Sequence, residues 1–465
     1  MKETGILRRL AVAMCCLPGV MMPAGRLISG PWHGSIKVTP QVSLRVVFNI
    51  DAEESTHPSV TLDSPDQNAY GIPGEVNYLS EDSVNISVRS IGLTFAGRLE
   101  DGVLAGKFRQ GMMTAALALK PGTEKRNRPQ TPVPPYPYVE KEVRFENRID
   151  GVTLAGTLVL PEGYSPDRPA VVMVTGSGLQ NRDEEVFGHR PFAVIADWLA
   201  RNGIASLRYD DRGFGESSGD GSIATTRDFA RDAKAAVEYL RSGEHLRNIG
   251  VLGHSEGATV AFMLGAEDAP ELFADPAFIV AIGAQTVRGD VLLADQNVRL
   301  MEQSGMPQDV IENYVSALLR LYGNMAEEGR RMTPSDVNEL CAEWPDTPVY
   351  GSLRENLKKI ASIESPWLEN FIGFSPADCI AASKCPVFVL YGERDMQVSP
   401  ELNMSLMEQL APKSRVKLYP GLNHLMQHAE RGSIGEYDRI EETLSPEVLE
   451  DITGFLKMQI QPRDH

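Results

Sequence analysis

The sequence predicts an α/β protein: a mostly parallel, doubly wound sheet carrying a helical cap insertion, preceded by a small all-β domain. Three observations predict it. From about residue 140, apolar strand-like runs alternate with amphipathic helical ones, the pattern of a sheet covered by helices on both faces. Before that, residues 30–120 alternate apolar and polar with period two, as half-buried antiparallel strands do. Between the two lies a proline-rich stretch. The 465 residues also exceed what one ordinary core accommodates.

At the start, Lys2, Arg8 and Arg9 precede the apolar "LAVAMCCLPGVMMPAG". A basic beginning, a short apolar run and small residues read as a secretory signal over residues 1–25. The run is too short for a membrane span, and no later stretch is long and apolar enough for one. Export to the periplasm or the exterior is the expectation. Beyond this segment lie Cys341, Cys379 and Cys385, neither a disulfide framework nor a zinc spacing. Free thiols are expected, with a Cys379–Cys385 pair left open.

In the all-β region, "LRVVFNID" puts Leu44, Val46, Phe48 and Ile50 on one face. "VNISVRS" does so with Val84, Ile86 and Val88, and "LTFAGRL" with Leu93, Phe95 and Leu99. Turn residues such as Glu100-Asp101-Gly102 separate the runs. A small barrel or sandwich is expected over 30–120. Residues 121–138 contain six prolines, which forbid helix and disfavour sheet, so they read as a semi-rigid spacer.

The second domain, 139–465, reads as strands at "VTLAGTLVL", "AVVMVTG", "IASLRYD", "NIGVLGH", "AFIVAIGA", "CPVFVLYG" and "SRVKLYPG". Several are continuously apolar, as strands buried on both faces are. A helix opens at an N-cap Thr225 or Thr226, buries Phe229, Ala233, Ala236, Val237 and Leu240, and closes at Gly243. Another opens on Pro191 and ends near Gly203. Residues 286–375 contain helical runs without a convincing strand. An insertion at a strand's C-terminal end lies over the crevice where such sheets bind ligands, so it reads as a cap.

Composition, 42% apolar and 23% charged, is that of a soluble globular protein. The formal charge, 45 − 63 = −18, repels a phosphate backbone and argues against nucleic acid as a partner.

The chemistry centres on Gly253-His254-Ser255-Glu256-Gly257, between a strand and a helix. Glycines at Gly253 and Gly257 permit a sharp turn and close helix packing, which leaves a serine hydroxyl exposed. The N–H of Glu256, at the helix N-terminus, is placed to donate to an oxyanion. A serine needs a base and a group that orients the base. Past the next strand ends lie Glu393-Arg394-Asp395 and Leu422-Asn423-His424. The expected assignment is Ser255 as nucleophile, His424 as base and Asp395 as its orienting carboxylate, in the chain order of the α/β-hydrolases. His428 reads as surface, His254 as pointing away, and Glu393 as the poorer acid. The second oxyanion donor is expected in the loop after "AVVMVTG", with Ser177 first and Gly178 second. A plain turn is the alternative.

Together "TGSGLQNRDE", "GHRPFAVIADWLARNGIASLRYDDRGFGES", "GHSEG", "GERDMQVSP" and "YPGLNHLMQ" resemble bacterial α/β-hydrolases of the secreted carboxylesterase type. These are related to serine aminopeptidase and prolyl-oligopeptidase catalytic domains. The tail "EYDRIEETLSPEVLEDI" is similar to that group, and "LDSPDQNAYGIP" resembles the β domain some members append. The resemblance covers roughly residues 140–460. It implies an α/β-hydrolase fold, a triad at Ser255, Asp395 and His424, hydrolysis of short-chain carboxylic esters, and no cofactor or metal. His189, in "GHRPF", is expected near the site without a catalytic role. The oxyanion loop lacks the histidine and triple glycine of many lipases, which argues against long-chain substrates.

The same triad would serve a peptidase or amidase with acidic groups for a substrate amine. A non-catalytic surface-binding protein on a hydrolase fold is the remaining class.

Overall fold

The computed structural model describes residues 28–37, 43–52, 58–64, 69–111, 113–122, 127–267, 269–327 and 329–459. The expected signal segment lies outside them. The chain divides into two compact units, Met1–Lys125 and Arg126–His465.

In the first unit, β1 (Gly30–Lys37), β2 (Ser43–Asp51), β3 (Ser59–Ser64), β4 (Ala69–Leu79), β5 (Ser83–Val88), β6 (Leu93–Glu100), β7 (Val103–Gln110) and β8 (Met113–Pro121) form a closed barrel in chain order. It is a barrel, not a sandwich, because β1 pairs antiparallel with β8 as well as with β2. The inward residues of the period-two runs fill it: Phe48, Ile50, Ile86, Phe95, Leu104 and Phe108 are buried together.

The second unit is built on an eight-stranded sheet. Its strands are β9 (Tyr138–Asn147), β10 (Val152–Pro161), β11 (Pro169–Val174), β12 (Ala205–Tyr209), β13 (Asn248–His254), β14 (Ile279–Ile282), β15 (Val387–Gly392) and β16 (Arg415–Tyr419). The spatial order is β16-β15-β14-β13-β11-β12-β10-β9. From β12 to β16 neighbours run parallel, while β10 is antiparallel to both β9 and β12. Strand β9 has no counterpart in the sequence reading. Its run "YVEKEVRFEN" has charges at most outward positions, and the strand reaches the interior through Tyr138, Val143, Phe145 and Asn147.

Alternate residues of the buried strands face opposite layers. Val172 and Val174 pack with Ala233, Ala236, Val237 and Leu240 of α2 (Thr226–Ser242) and with α3 (Glu256–Gly265). Val171 and Met173 pack with Phe192, Ile195 and Leu199 of α1 (Pro191–Arg201) and with Val448, Ile452 and Phe455 of a C-terminal helix, Pro446–Met458. Thr225 caps α2 through a capping box with Asp228.

Between β14 and β15 the chain forms α4 (Gly289–Gln303), α5 (Gln308–Glu327), α6 (Pro334–Leu340), α7 (Pro348–Ser362) and α8 (Pro366–Gly373). They share a core that includes Ile311, Tyr314, Leu318, Leu321, Val337, Leu357 and Ile372. Among the described residues no helix is long and apolar enough to cross a membrane. Cys341 is a buried free thiol, and Cys379 and Cys385 are half-buried.

The spacer expected over 121–138 is not a free linker. Pro121 ends β8, and from Asn127 the chain is bound within the second unit. The Arg128 guanidinium donates to the carbonyls of Phe187 (2.8 Å), Asp438 (2.8 Å) and Ile440 (2.9 Å). Gln130 accepts from the N–H groups of Thr443 and Leu444. Prolines contribute no N–H, so side chains between them supply the bonds a regular backbone would make.

Candidate active site

Strand order reverses around β11, which lies between β12 and β13. The C-terminal ends of β11 and β13 therefore open a crevice at a topological switch point. Ser255 stands there, between the last residue of β13 and the first of α3. Its φ of 54° and ψ of −118° lie in a region that L-residues rarely occupy, and such strain clusters at functional sites. The close packing that holds it explains both glycines. A Cβ on Gly253 would lie 2.0 Å from the Gly257 carbonyl oxygen, and one on Gly257 would lie 2.1 Å from that of Val174. His254 and Glu256 are buried on either side, whereas Ser255 is half-buried.

Asp395, 1% exposed, follows β15. Its Oδ1 accepts the N–H groups of Gln397 and Val398, both at 2.8 Å. Its Oδ2 is 2.7 Å from Nδ1 of the buried His424, which follows β16. A carboxylate oxygen accepts, so Nδ1 donates and Nε2 is left as the basic nitrogen of the neutral ring. The loop bearing His424 is tightened by Asn423, whose Oδ1 accepts the N–H groups of Leu425 and Gln427 at 3.0 Å each. Ser255 and His424 flank one peptide. The Ser255 N–H donates to the Ile282 carbonyl at 2.8 Å. The next residue, Gly283, has φ +58°, and a Cβ there would lie 2.9 Å from His424 Cε1 and 3.1 Å from Nδ1.

The loop after β11 faces the serine: a Cβ on Gly176 would lie 3.1 Å from Ser255 Cβ. Ser177 and Gly178 are exposed. Among the described residues, no acceptor in the chain takes the N–H of Ser177, Gly178 or Glu256. The loop is held by buried acids. Asp211 accepts the Gln180 N–H (2.8 Å) and the Thr175 hydroxyl (2.9 Å). Asp210 accepts the Arg182 N–H (2.8 Å) and pairs with its guanidinium. Glu184 Oε1 accepts the Gly176 N–H at 2.9 Å. Burial pushes the Asp211 carboxyl up to about 8.

The remaining candidates sort clearly. Glu393 is exposed and accepts the Gly421 N–H. His428 is exposed and pairs with Glu442. His189 is fully buried between the Thr443 hydroxyl (3.0 Å) and the Tyr437 carbonyl (2.8 Å). His254 is turned to the protein interior, yet it is bonded to the backbone of His424. The Glu256 carboxylate accepts from the Thr226 hydroxyl (2.6 Å) and the Trp367 indole N–H of α8 (2.9 and 3.0 Å). Burial raises its pKa despite these donors. Glu184, Asp210, Asp211, Gly283 and Trp367 join the site without a sequence motif that assigns them to it. Asp210 and Asp211 fall in "RYDDRGFGES", Glu184 ends "TGSGLQNRDE" and Gly283 lies in "AFIVAIGA", but nothing local marks them as parts of a site, and Trp367 lies in none of these runs. Among the described residues no group of three or more His, Cys, Asp or Glu could hold a metal ion.

Residues 189–301 match the family described as serine aminopeptidase, S33, a span that includes Ser255. The chain is similar to Esterase EstD of Thermotoga maritima, 29% identical over 295 residues that make up 63% of each protein. It thus spans less than two thirds of that relative. It is similar also to the polyketide transferase claH of Penicillium crustosum, 25% identical over 64% of this chain and 94% of that one. Among solved structures, the esterase Pf2001 of Pyrococcus furiosus aligns with 20% identity and a TM-score of 0.41, over 70% of this chain and 94% of that one.

Proposed function

We propose that this chain, a member of the α/β-hydrolase superfamily, is a serine hydrolase that cleaves short-chain carboxylic esters through an acyl-enzyme on Ser255. The observation that carries the reading is the His424–Asp395 bond of 2.7 Å, set beside a strained serine at the same edge of the sheet.

In this reading His424 Nε2 takes the Ser255 proton as Oγ attacks the ester carbonyl. Asp395 holds Nδ1–H and stabilises the imidazolium that forms. The tetrahedral oxyanion receives the N–H of Glu256 and one from Ser177 or Gly178, donors that no acceptor among the described residues occupies. His424 then protonates the leaving alkoxide, and water attacks the acyl-enzyme by the reverse path. The helices α4–α8 act as a cap that bounds the substrate. The N-terminal segment directs export.

The carboxylates of Glu256 and Glu184 are buried and already hold donors, which supports an ester substrate over a peptide whose amine needs a free acid. Initial rates on p-nitrophenyl acetate and on alanine p-nitroanilide, for the wild type and Ser255→Ala, test this. The expected result is turnover of the ester, loss in the variant, and little amide cleavage. Faster turnover of the anilide would make the protein a peptidase, and equal ester turnover by both proteins would remove Ser255 from the mechanism.

A further inference from the structure

We infer that His254 and Glu184 form a buried imidazolium–carboxylate pair that positions the base His424 and the start of the oxyanion loop relative to Ser255. The inference rests on the roles proposed for Ser255 and His424.

His254 Nε2 lies 3.0 Å from the His424 carbonyl oxygen, which can only accept. Nε2 therefore bears a hydrogen. Nδ1 lies 2.9 Å from Glu184 Oε1. The same oxygen accepts the Gly176 N–H at 2.9 Å. An oxygen that receives two donors favours the ionised carboxylate, so the second hydrogen resides on Nδ1 and the ring is charged. Among the described residues, the charged and titratable groups that interact with the pair include the His424 ring, whose centroid is 4.6 Å from that of His254, the Asp395 carboxylate bonded to it, and Asp211, which couples to Glu184. Apolar side chains, Phe192, Ile195, Ile282, Leu425 and Leu444, line a small cavity against the two residues. Burial alone would pull the His254 pKa down, but the Glu184 charge and hydrogen bond outweigh it and the net shift is upward. Low polarity around the pair strengthens that attraction.

The geometry gives the pair two outputs. Through Nε2 it holds the main chain of His424, and through Oε1 it holds Gly176, next to Ser177. Glu184 keeps a left-handed backbone, φ 54°, to make this contact. Both are positioning residues, because neither faces the crevice.

The test uses the full chain with ¹⁵N-labelled histidine. Long-range ¹H–¹⁵N spectra should show both His254 nitrogens protonated at neutral pH, in the wild type and in Ser255→Ala. Glu184→Gln should convert His254 to a singly protonated ring. It should also lower kcat on p-nitrophenyl acetate about tenfold or more with KM nearly unchanged, since the base and the oxyanion donors lose register. A wild-type His254 with one bare nitrogen at neutral pH overturns the inference without any variant having to fold. So does Glu184→Gln with unaltered kcat. If Ser255→Ala retains full activity, the functional reading fails, while the spectrum still reports on the pair.

Discussion

Gly283 offers a sharp test of how closely the base is held. Replacing it by alanine puts a methyl group 2.9 Å from His424 Cε1 and 3.1 Å from Nδ1. Non-bonded carbons prefer about 3.5–4.0 Å, so the imidazole must retreat by roughly 0.6 Å or more. It cannot do so freely, because Nδ1 is bonded to Asp395 at 2.7 Å and the His424 carbonyl to His254. Misplacement of a reacting group by about 1 Å costs on the order of 10²-fold in rate. The expected loss in kcat for Gly283→Ala is therefore about 30- to 100-fold, or about 2–3 kcal/mol of barrier. Alanine at φ +58° also costs roughly 1–2 kcal/mol of stability. Gly163→Ala separates the two effects. Gly163 has φ +65°, and nothing lies within 4 Å of its would-be Cβ. It should lose comparable stability and no rate. Steady-state kinetics on p-nitrophenyl acetate with thermal melts reads both. If Gly283→Ala loses no more rate than Gly163→Ala, the tight seating of His424 is wrong.

Three further outcomes are expected. Asp395→Asn should lower kcat by roughly 10³- to 10⁴-fold with KM little changed, because the amide favours the wrong histidine tautomer; kinetics at saturating ester reads it. Trp367→Phe removes the one indole donor that reaches both oxygens of the buried Glu256. It should destabilise by about 1–3 kcal/mol in urea unfolding and weaken turnover of bulky esters more than of acetate. Asp211 releases its proton near pH 4 when unfolded and only near about 8 when folded. The folded state thus binds the extra proton through that window, and stability falls as pH rises across it. The urea midpoint should be higher at about pH 5 than at about pH 8, with Asp211→Asn reducing the difference.

What the sequence made legible was what local chemistry writes locally. Period two marked the barrel strands, continuous apolar runs marked β11, β13 and β15, and the threonine at the start of α2 is its cap. The serine was legible because its turn demands glycines on both sides. Asp395 and His424 followed from their distance past strand ends. What was not legible depends on tertiary contacts that no local pattern marks. Strand β9 is charged on its outward face, so its pairing with β10 and not its composition makes it a strand. The proline stretch looked like a linker because nothing local shows that Arg128 reaches carbonyls some 310 residues away. Glu184, Asp211 and Trp367 are ordinary residues in the sequence. Only folding brings a carboxylate to the N–H of Gly176, or an indole of α8 to Glu256.

The central claim is that Ser255 is an activated nucleophile. Its most direct test is a fluorophosphonate titration of the folded full chain, followed by intact-mass measurement and peptide mapping. The account predicts one equivalent of label, located on Ser255, with activity on p-nitrophenyl acetate falling in proportion and no label on Ser255→Ala. Hydrolysis that survives full labelling, or a label on any other residue, would contradict it.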